Sequence, residues 1–306
     1  MLKYPQYLAD IIFSILKLCT RWVERKLMNN LKYNKPCLKE NEYHLWYTKP
    51  RDSQDLDLLD RYKVLLNEEE LEKQQRYIFE KDRHDALITR AFIRDVLSQY
   101  MDVEPSDWKF TKGENGKPEI DYHSLAKLIP SSIPLRFNIS HTKELIICAV
   151  TLNNDIGCDV EHIGRSSDLL AIADRYFSEV ETKELFSLPE KKQRDRFFDY
   201  WTLKESYIKA WGQGLAIPLS DFSFHLGVSE SKKQNSNIQL SFAEKRQDNA
   251  KHWQSWIFYP SDEHRVSVSI RQINKDSSQD SDTNYNIRFF ETKPLVSYEE
   301  RTEIIL

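Results

Sequence analysis

Two stretches of the chain place carboxylates where they can share a cation. In Ile156-Gly157-Cys158-Asp159-Val160-Glu161 an apolar strand ends in two acids two residues apart. Strand alternation puts Asp159 and Glu161 on one face, so their oxygens can converge on one hard divalent ion. In the stretch from Trp201 to Gly214, Glu205 and Lys209 stand at i and i+4 of a helix and share a face, while Trp201 and Ile208 share another. By itself such a pair is usually surface decoration worth about 0.3–0.5 kcal/mol. Here Phe197, Phe198, Tyr200, Trp201, Tyr207 and Trp211 flank the helix on several sides, so it is expected to be packed. A carboxylate and two lysines, Lys204 and Lys209, in a packed helix call for a ligand or partner charges.

Two further segments carry polar groups at turns. Phe137-Asn138-Ile139-Ser140-His141 is a strand running into a polar end. The serine has no G-x-S-x-G elbow, and neighbouring strand residues point in opposite directions, so contact with a phosphate suits the pair better than nucleophilic catalysis. Lys112-Gly113-Glu114-Asn115-Gly116-Lys117-Pro118 is a glycine- and lysine-rich turn whose backbone N–H groups can face an anion or a base edge. It lacks the GxxxxGK[ST] pattern of a P-loop.

The elements that must hold these groups follow from periodicity. Tyr43 to Thr48 reads as a strand ended by Pro50, and Asp55 to Tyr100 as two or three amphipathic helices. Short β-rich runs follow at Trp108–Phe110, Leu135–Ile139, Glu144–Thr151 and Ile156–Val160. Helices are expected over Asp168–Phe177, Glu179–Phe186 and about Asp195–Trp211, the last capped by Gly212. Strands return at Phe222–Leu226, Ile238–Phe242, Trp253–Tyr259, Val266–Ile270 and Ile287–Phe290. This order predicts an α+β protein of two similar units, divided as an N-terminal extension (residues 1–40), a first subdomain (41–155) and a second (156–306).

A chain of 306 residues can bury a sizeable core without metal or disulfide staples. A formal charge of −4 argues against a dedicated nucleic-acid binder. Cys19, Cys37, Cys148 and Cys158 show no CxxC pair, which suits reduced thiols and a cytoplasmic protein. Residues 8–27 are apolar but interrupted by charge, too short to span a bilayer and poorly matched to a secretory signal; an amphipathic helix packed on the body, or an upstream extension whose functional start is Met28, is expected.

In this order and spacing, Gly116-Lys117-Pro118, Asn138-Ile139-Ser140-His141, Ile156 to Glu161, Trp201-x-x-Lys204-Glu205-Ser206-x-x-Lys209 and Gly212-x-Gly214 resemble the Sfp-type branch of the 4′-phosphopantetheinyl transferase superfamily. The resemblance spans roughly Tyr43 to Leu226. It implies two pseudo-twofold-related α+β halves with coenzyme A in the cleft between them. It also implies Mg²⁺-dependent transfer of the phosphopantetheine arm to a serine of an apo acyl or peptidyl carrier protein, releasing adenosine 3′,5′-bisphosphate. By the same resemblance Asp159, Glu161 and Glu205 are metal ligands, with Glu205 and Lys209 the catalytic pair. Lys204, Asn138, Ser140 and His141 face coenzyme A phosphates, Gly116, Lys117 and Pro118 border the adenine, and Lys73 and Lys112 reach the 3′-phosphate, with Arg76 and Arg83 nearby. This chain departs from relatives in carrying Glu70, and Asp85 and Ala86 after His84, where some members have a basic residue and a threonine. A monomer is expected, with a carrier surface near Tyr207, Trp211 and Gln213 to Phe222. The rival readings are a non-catalytic carrier-binding module and a Mg²⁺ nuclease; the second lacks an obvious basic groove.

Overall fold

Period-2 alternation sorts the strands of the first sheet between two cores, in a computed structural model that describes residues 35–113, 115–126, 134–164, 169–227, 233–273 and 284–306. The chain divides into residues 1–37, of which only the last three are described, and residues 38–306. The expected helix at residues 8–27 lies outside the described residues. The larger unit holds every strand and helix among the described residues.

Strand β1 (Glu42–Thr48) is buried along its whole length. Tyr43, Leu45 and Tyr47 enter one core and Trp46 the other. It pairs with β5 (Leu145–Leu152), which alternates in the same way: Ile146, Cys148 and Val150 on one side, Leu145, Ile147 and Ala149 on the opposite side. Strand β5 therefore reads as a near-continuous apolar run, as strands covered on both faces do. Helices α1 (Leu56–Leu65), α2 (Glu68–Gln75) and α3 (Glu80–Ser98) follow β1, and α3 buries Leu87, Ile88, Ala91, Phe92, Ile93, Val96 and Leu97 at helical spacing against the first core. Between them, α1 is capped by Asp55 and α2 by a reciprocal Asn67–Glu70 box.

A short hairpin of β2 (Phe110–Lys112) and β3 (Pro118–Ile120) precedes β4 (Leu135–Thr142), which pairs with β5. Strand β6 (Asp155–His162) opens a second sheet. Helices α4 (Leu169–Tyr176), α5 (Glu179–Ser187) and the 22-residue α6 (Glu190–Trp211) come next. Gly212 ends α6 in the left-handed region at φ 73°. After α6 the chain forms β7 (Phe222–Leu226), β8 (Gln234–Asn235), β9 (Ile238–Phe242), β10 (Trp253–Ser261) and β11 (His264–Arg271). Strands β6, β11, β10 and β8 make the second sheet in that order.

Ile156, Cys158, Val160, Val266, Val268 and Ile270 face the first sheet across the second core, and α6 covers the other side of β6 and β11. The layers run helices, sheet, sheet, helix: an α+β fold.

The sequence reading assigns everything after residue 155 to a second half, but the last two strands return. Strand β12 (Asn286–Lys293) lies parallel to β1, and β13 (Ser297–Arg301) pairs with β12, giving the first sheet the order β13-β12-β1-β5-β4. β1 would otherwise be an exposed apolar edge, and β12 covers it. No helix among the described residues is long and apolar enough to cross a membrane. Cys37, Cys148 and Cys158 are free thiols.

Candidate active site

Gly157 sets the distance between β6 and α6. A Cβ built there would stand 2.0 Å from Ser206 O and 2.3 Å from Ala210 N, so only glycine lets the helix backbone lie directly on the strand. Behind it, Ser206, Ser269 and Ser255 form a hydroxyl chain (2.7 and 2.8 Å) with equally small side chains. The consequence is local: the next residues of β6 on that face, Asp159 and Glu161, come under Glu205 and Lys209 one turn apart on α6. All four line one cavity of about 910 Å³, with Trp201, Ser140, His141 and His162.

Lys209 Nζ lies 2.6 Å from Asp159 Oδ1 and 3.0 Å from Ser140 Oγ, and Ser140 also donates to Asp159 Oδ1 at 2.9 Å. Burial opposes the Lys209 charge, but Asp159, followed by Cys158 and Glu205, outweighs it and holds its pKa above the ordinary value. Glu205 is pushed up to about 7, first by burial and then by Asp159 and Glu161, against Lys209. Asp159 Oδ2 is buried with no hydrogen-bond partner. Three carboxylates around one ammonium, one with an unsatisfied oxygen, are a donor set suited to a hard divalent cation. Among the described residues no three such side chains stand close enough to hold a metal ion as they are.

Of the other expected residues, His141 is exposed at the rim, its pKa lowered by desolvation and by Lys209 and Arg90, against Asp85. A second cavity of about 1000 Å³ shares Ile139, His141, Thr142 and Lys143 with the first and is lined by Lys73, Lys112, Gly116 and Pro118. Arg76 pairs with Glu72 at 3.3 Å, and Arg83 donates to Tyr77 and Ile78 carbonyls at 2.7 and 3.0 Å.

Three expected ligand contacts fall elsewhere. Lys204 is 0 % exposed, with its ammonium 2.7 Å from Glu181 Oε2 and donating to Leu219 O and Phe222 O, both at 2.7 Å. It is a core ion pair with no path to a phosphate, because its direction on α6, roughly 100° from that of Glu205, turns it into the helical core. Lys117 also turns inward, donating to Ile156 O (3.1 Å) and Ala210 O (3.3 Å); burial pushes its pKa down to about 8 despite nearby Asp155. Asn138 holds the two sheets together, accepting from Cys158 N at 2.8 Å, and lines neither cavity.

Of the carrier surface expected near Tyr207, Trp211 and Gln213 to Phe222, Tyr207 is interior, Trp211 is half-buried, and Gln213, Ala216, Pro218 and Ser220 are exposed. Tyr207 is 0 % exposed and donates to Asp248, and the Trp211 ring lies under Arg271 at 3.8 Å. Several cavity residues have no site role in the sequence reading, among them Trp201, Lys143 and His162. The sequence reading set Trp201 with Ile208 on another face; Trp201 instead shares the cavity with Glu205 and Lys209, as the i+4 repeat of 201, 205 and 209 requires.

A family profile described as the 4′-phosphopantetheinyl transferase superfamily matches residues 155–269, and one for the N-terminal part of a 4′-phosphopantetheinyl transferase matches residues 53–153. The chain is 36% identical over 197 residues to 4′-phosphopantetheinyl transferase HetI of Nostoc, covering 64% of this chain and 79% of that protein. It is 33% identical over 184 residues to 4′-phosphopantetheinyl transferase Sfp of Bacillus subtilis, covering 60% and 75%. The L-aminoadipate-semialdehyde dehydrogenase-phosphopantetheinyl transferase of Mus musculus is 27% identical over 231 residues, covering 71% and 70%.

Proposed function

The chain belongs to the 4′-phosphopantetheinyl transferase superfamily, and we propose that it performs the transfer in the cleft formed by its two joined cavities. It is an enzyme that moves the 4′-phosphopantetheine arm of coenzyme A to an apo carrier protein. The acceptor is a serine of an acyl or peptidyl carrier. The observation that carries this reading is the seating of α6 on Gly157, which brings Glu205 and Lys209 over Asp159 and Glu161.

The larger second cavity takes the nucleotide, and the first the diphosphate and the incoming serine. Asp159, Glu161 and Glu205 would hold Mg²⁺, the unsatisfied Asp159 Oδ2 supporting this choice. When bound, the ion neutralises diphosphate charge and lowers the pKa of a coordinated hydroxyl or water. Lys209 keeps its proton and neutralises charge on the leaving phosphate. Glu205, facing the same space, takes the serine proton directly or through one water. His141 and Ser140 orient the diphosphate from the β4 end, and Gly116 and Pro118 border the nucleotide.

Two similar halves related by a pseudo-twofold axis fit the repeated pattern of one long helix, α3 or α6, laid over a sheet. We read the protein as a cytoplasmic monomer. The binding-module alternative is disfavoured because every carboxylate and the Lys209 ammonium face one cavity.

The test is intact-mass measurement of a promiscuous apo carrier after incubation with the chain, coenzyme A and Mg²⁺. One added phosphopantetheine group, abolished by EDTA, is the expected result. An unmodified carrier with several carriers tried would defeat the reading.

A further inference from the structure

The second cavity is nearly charge-balanced. Its wall carries seven lysines and arginines against six aspartates and glutamates. Both arginines of the wall are already committed. Arg94, with its side chain 3% exposed, donates to Glu70 Oε2 at 2.7 Å, and Arg90 Nε lies 3.7 Å from Glu70 Oε1. Glu70 is held further because the same Oε2 accepts the Asn67 backbone N–H at 3.1 Å in the cap of α2. At the rim Lys112 stands 2.6 Å from Glu69, whose carboxyl is held below its usual range first by the hydrogen bond and then by the charge of Lys112, and further by Lys73.

We propose that this cavity does not select for a 3′-phosphate on its nucleotide, so that 3′-dephospho-coenzyme A serves as donor as well as coenzyme A, and that Glu70 is the specificity-determining residue. The inference rests on the transferase reading above. A phosphate monoester brings nearly two negative charges. Seated at Arg90 and Arg94 it would meet the fixed carboxylate of Glu70, whose repulsion offsets the attraction of the arginines. Glu70 already occupies the position of an internal anion.

The chemistry does not require the 3′-phosphate. The carrier serine Oγ forms a bond to the phosphorus that carries pantetheine, the bond from that phosphorus to the bridging oxygen breaks, and the serine proton leaves to the base. From coenzyme A the departing product is adenosine 3′,5′-bisphosphate; from the dephospho donor it is adenosine 5′-monophosphate. Selection between the donors is therefore a matter of binding in the second cavity alone.

The experiment compares kcat/KM for the two donors with one apo carrier and Mg²⁺. The expected ratio lies within about threefold, and Glu70→Gln raises the preference for coenzyme A by about fivefold or more by freeing the arginines. A preference of about thirtyfold or more in the unaltered protein overturns the proposal. An unchanged ratio in folded E70Q removes Glu70 from it. The unaltered protein offers a second measurement: adenosine 5′-monophosphate and adenosine 3′,5′-bisphosphate are expected to inhibit within about threefold of each other, and tenfold tighter inhibition by the bisphosphate overturns the proposal. Failure of both donors to modify any carrier defeats the transferase reading, an outcome distinct from transfer by coenzyme A alone.

Discussion

Lys209 holds its ammonium 2.6 Å from Oδ1 of Asp159, while Oδ2 of the same carboxylate is buried without a partner. Oδ1 accepts from both Lys209 and Ser140, so the two oxygens of one acid divide between a protein contact and an open valence. That division neutralises Oδ1 from α6 and leaves Oδ2 for the proposed cation.

Replacing Lys209 with methionine removes, among the described residues, the only ammonium facing this acidic cluster in the first cavity other than Lys143 at its rim. Transfer is expected to fall by about 10²–10⁴-fold in kcat. The protein should also lose about 3 kcal/mol of stability, because Asp159 is left buried and unpaired. Single-turnover kinetics and urea unfolding measure the two effects separately.

Gly157→Ala is expected to be far more damaging than its size suggests. The added Cβ would fall 2.0 Å from Ser206 O, a backbone atom that can move only with α6. A loss of about 1–3 kcal/mol from overpacking is expected, with a drop in kcat as Glu205 and Lys209 shift away from β6. Chemical denaturation and carrier modification on the folded fraction test this; unchanged activity would show that the helix seat does not set the site.

Lys204→Met separates a structural role from a ligand role. Its partner Glu181 is 0 % exposed, so removing the ammonium strands a charge and should cost about 3–5 kcal/mol. The double variant with Glu181→Gln should recover part of that loss. KM for coenzyme A in the folded double variant is expected to match the unaltered protein; a large rise would return Lys204 to the binding site.

Acid sensitivity is expected from His44, which is 0 % exposed and held by Tyr100 at 2.7 Å. Burial, then the nearby Arg288 charge, lowers its pKa to about 3, against Glu300. The ring is neutral at pH 7, so its 3.6 Å approach to Glu42 is no ion pair there. Between pH 6.5 and 3 the unfolded chain binds a proton that the folded one refuses. Stability from this site is present above about pH 6.5 and falls by up to about 1.4 kcal/mol for each unit below it. Urea midpoints at pH 7 and 5 should draw closer together in His44→Gln.

Those parts of the site that obey a short period were legible from the residues in order. Asp159 and Glu161 two apart on a strand, Glu205 and Lys209 four apart on a helix, and Gly157 as the place of close approach all belong here, because local geometry alone decides which face such residues share. Much of the order of helices and strands was legible for the same reason. Which charges the protein uses for itself was settled only by the packed fold. Lys204 and Lys209 look alike in sequence, yet Glu181 from α5 claims one and the cavity the other. Lys117 turns inward because two carbonyls, of Ile156 and Ala210, wait where β6 and α6 meet. Strand β12 joins β1 across more than two hundred residues. A lysine's role depends on whether another element brings an acceptor within reach, and that is fixed by packing between distant segments, to which local periodicity is blind.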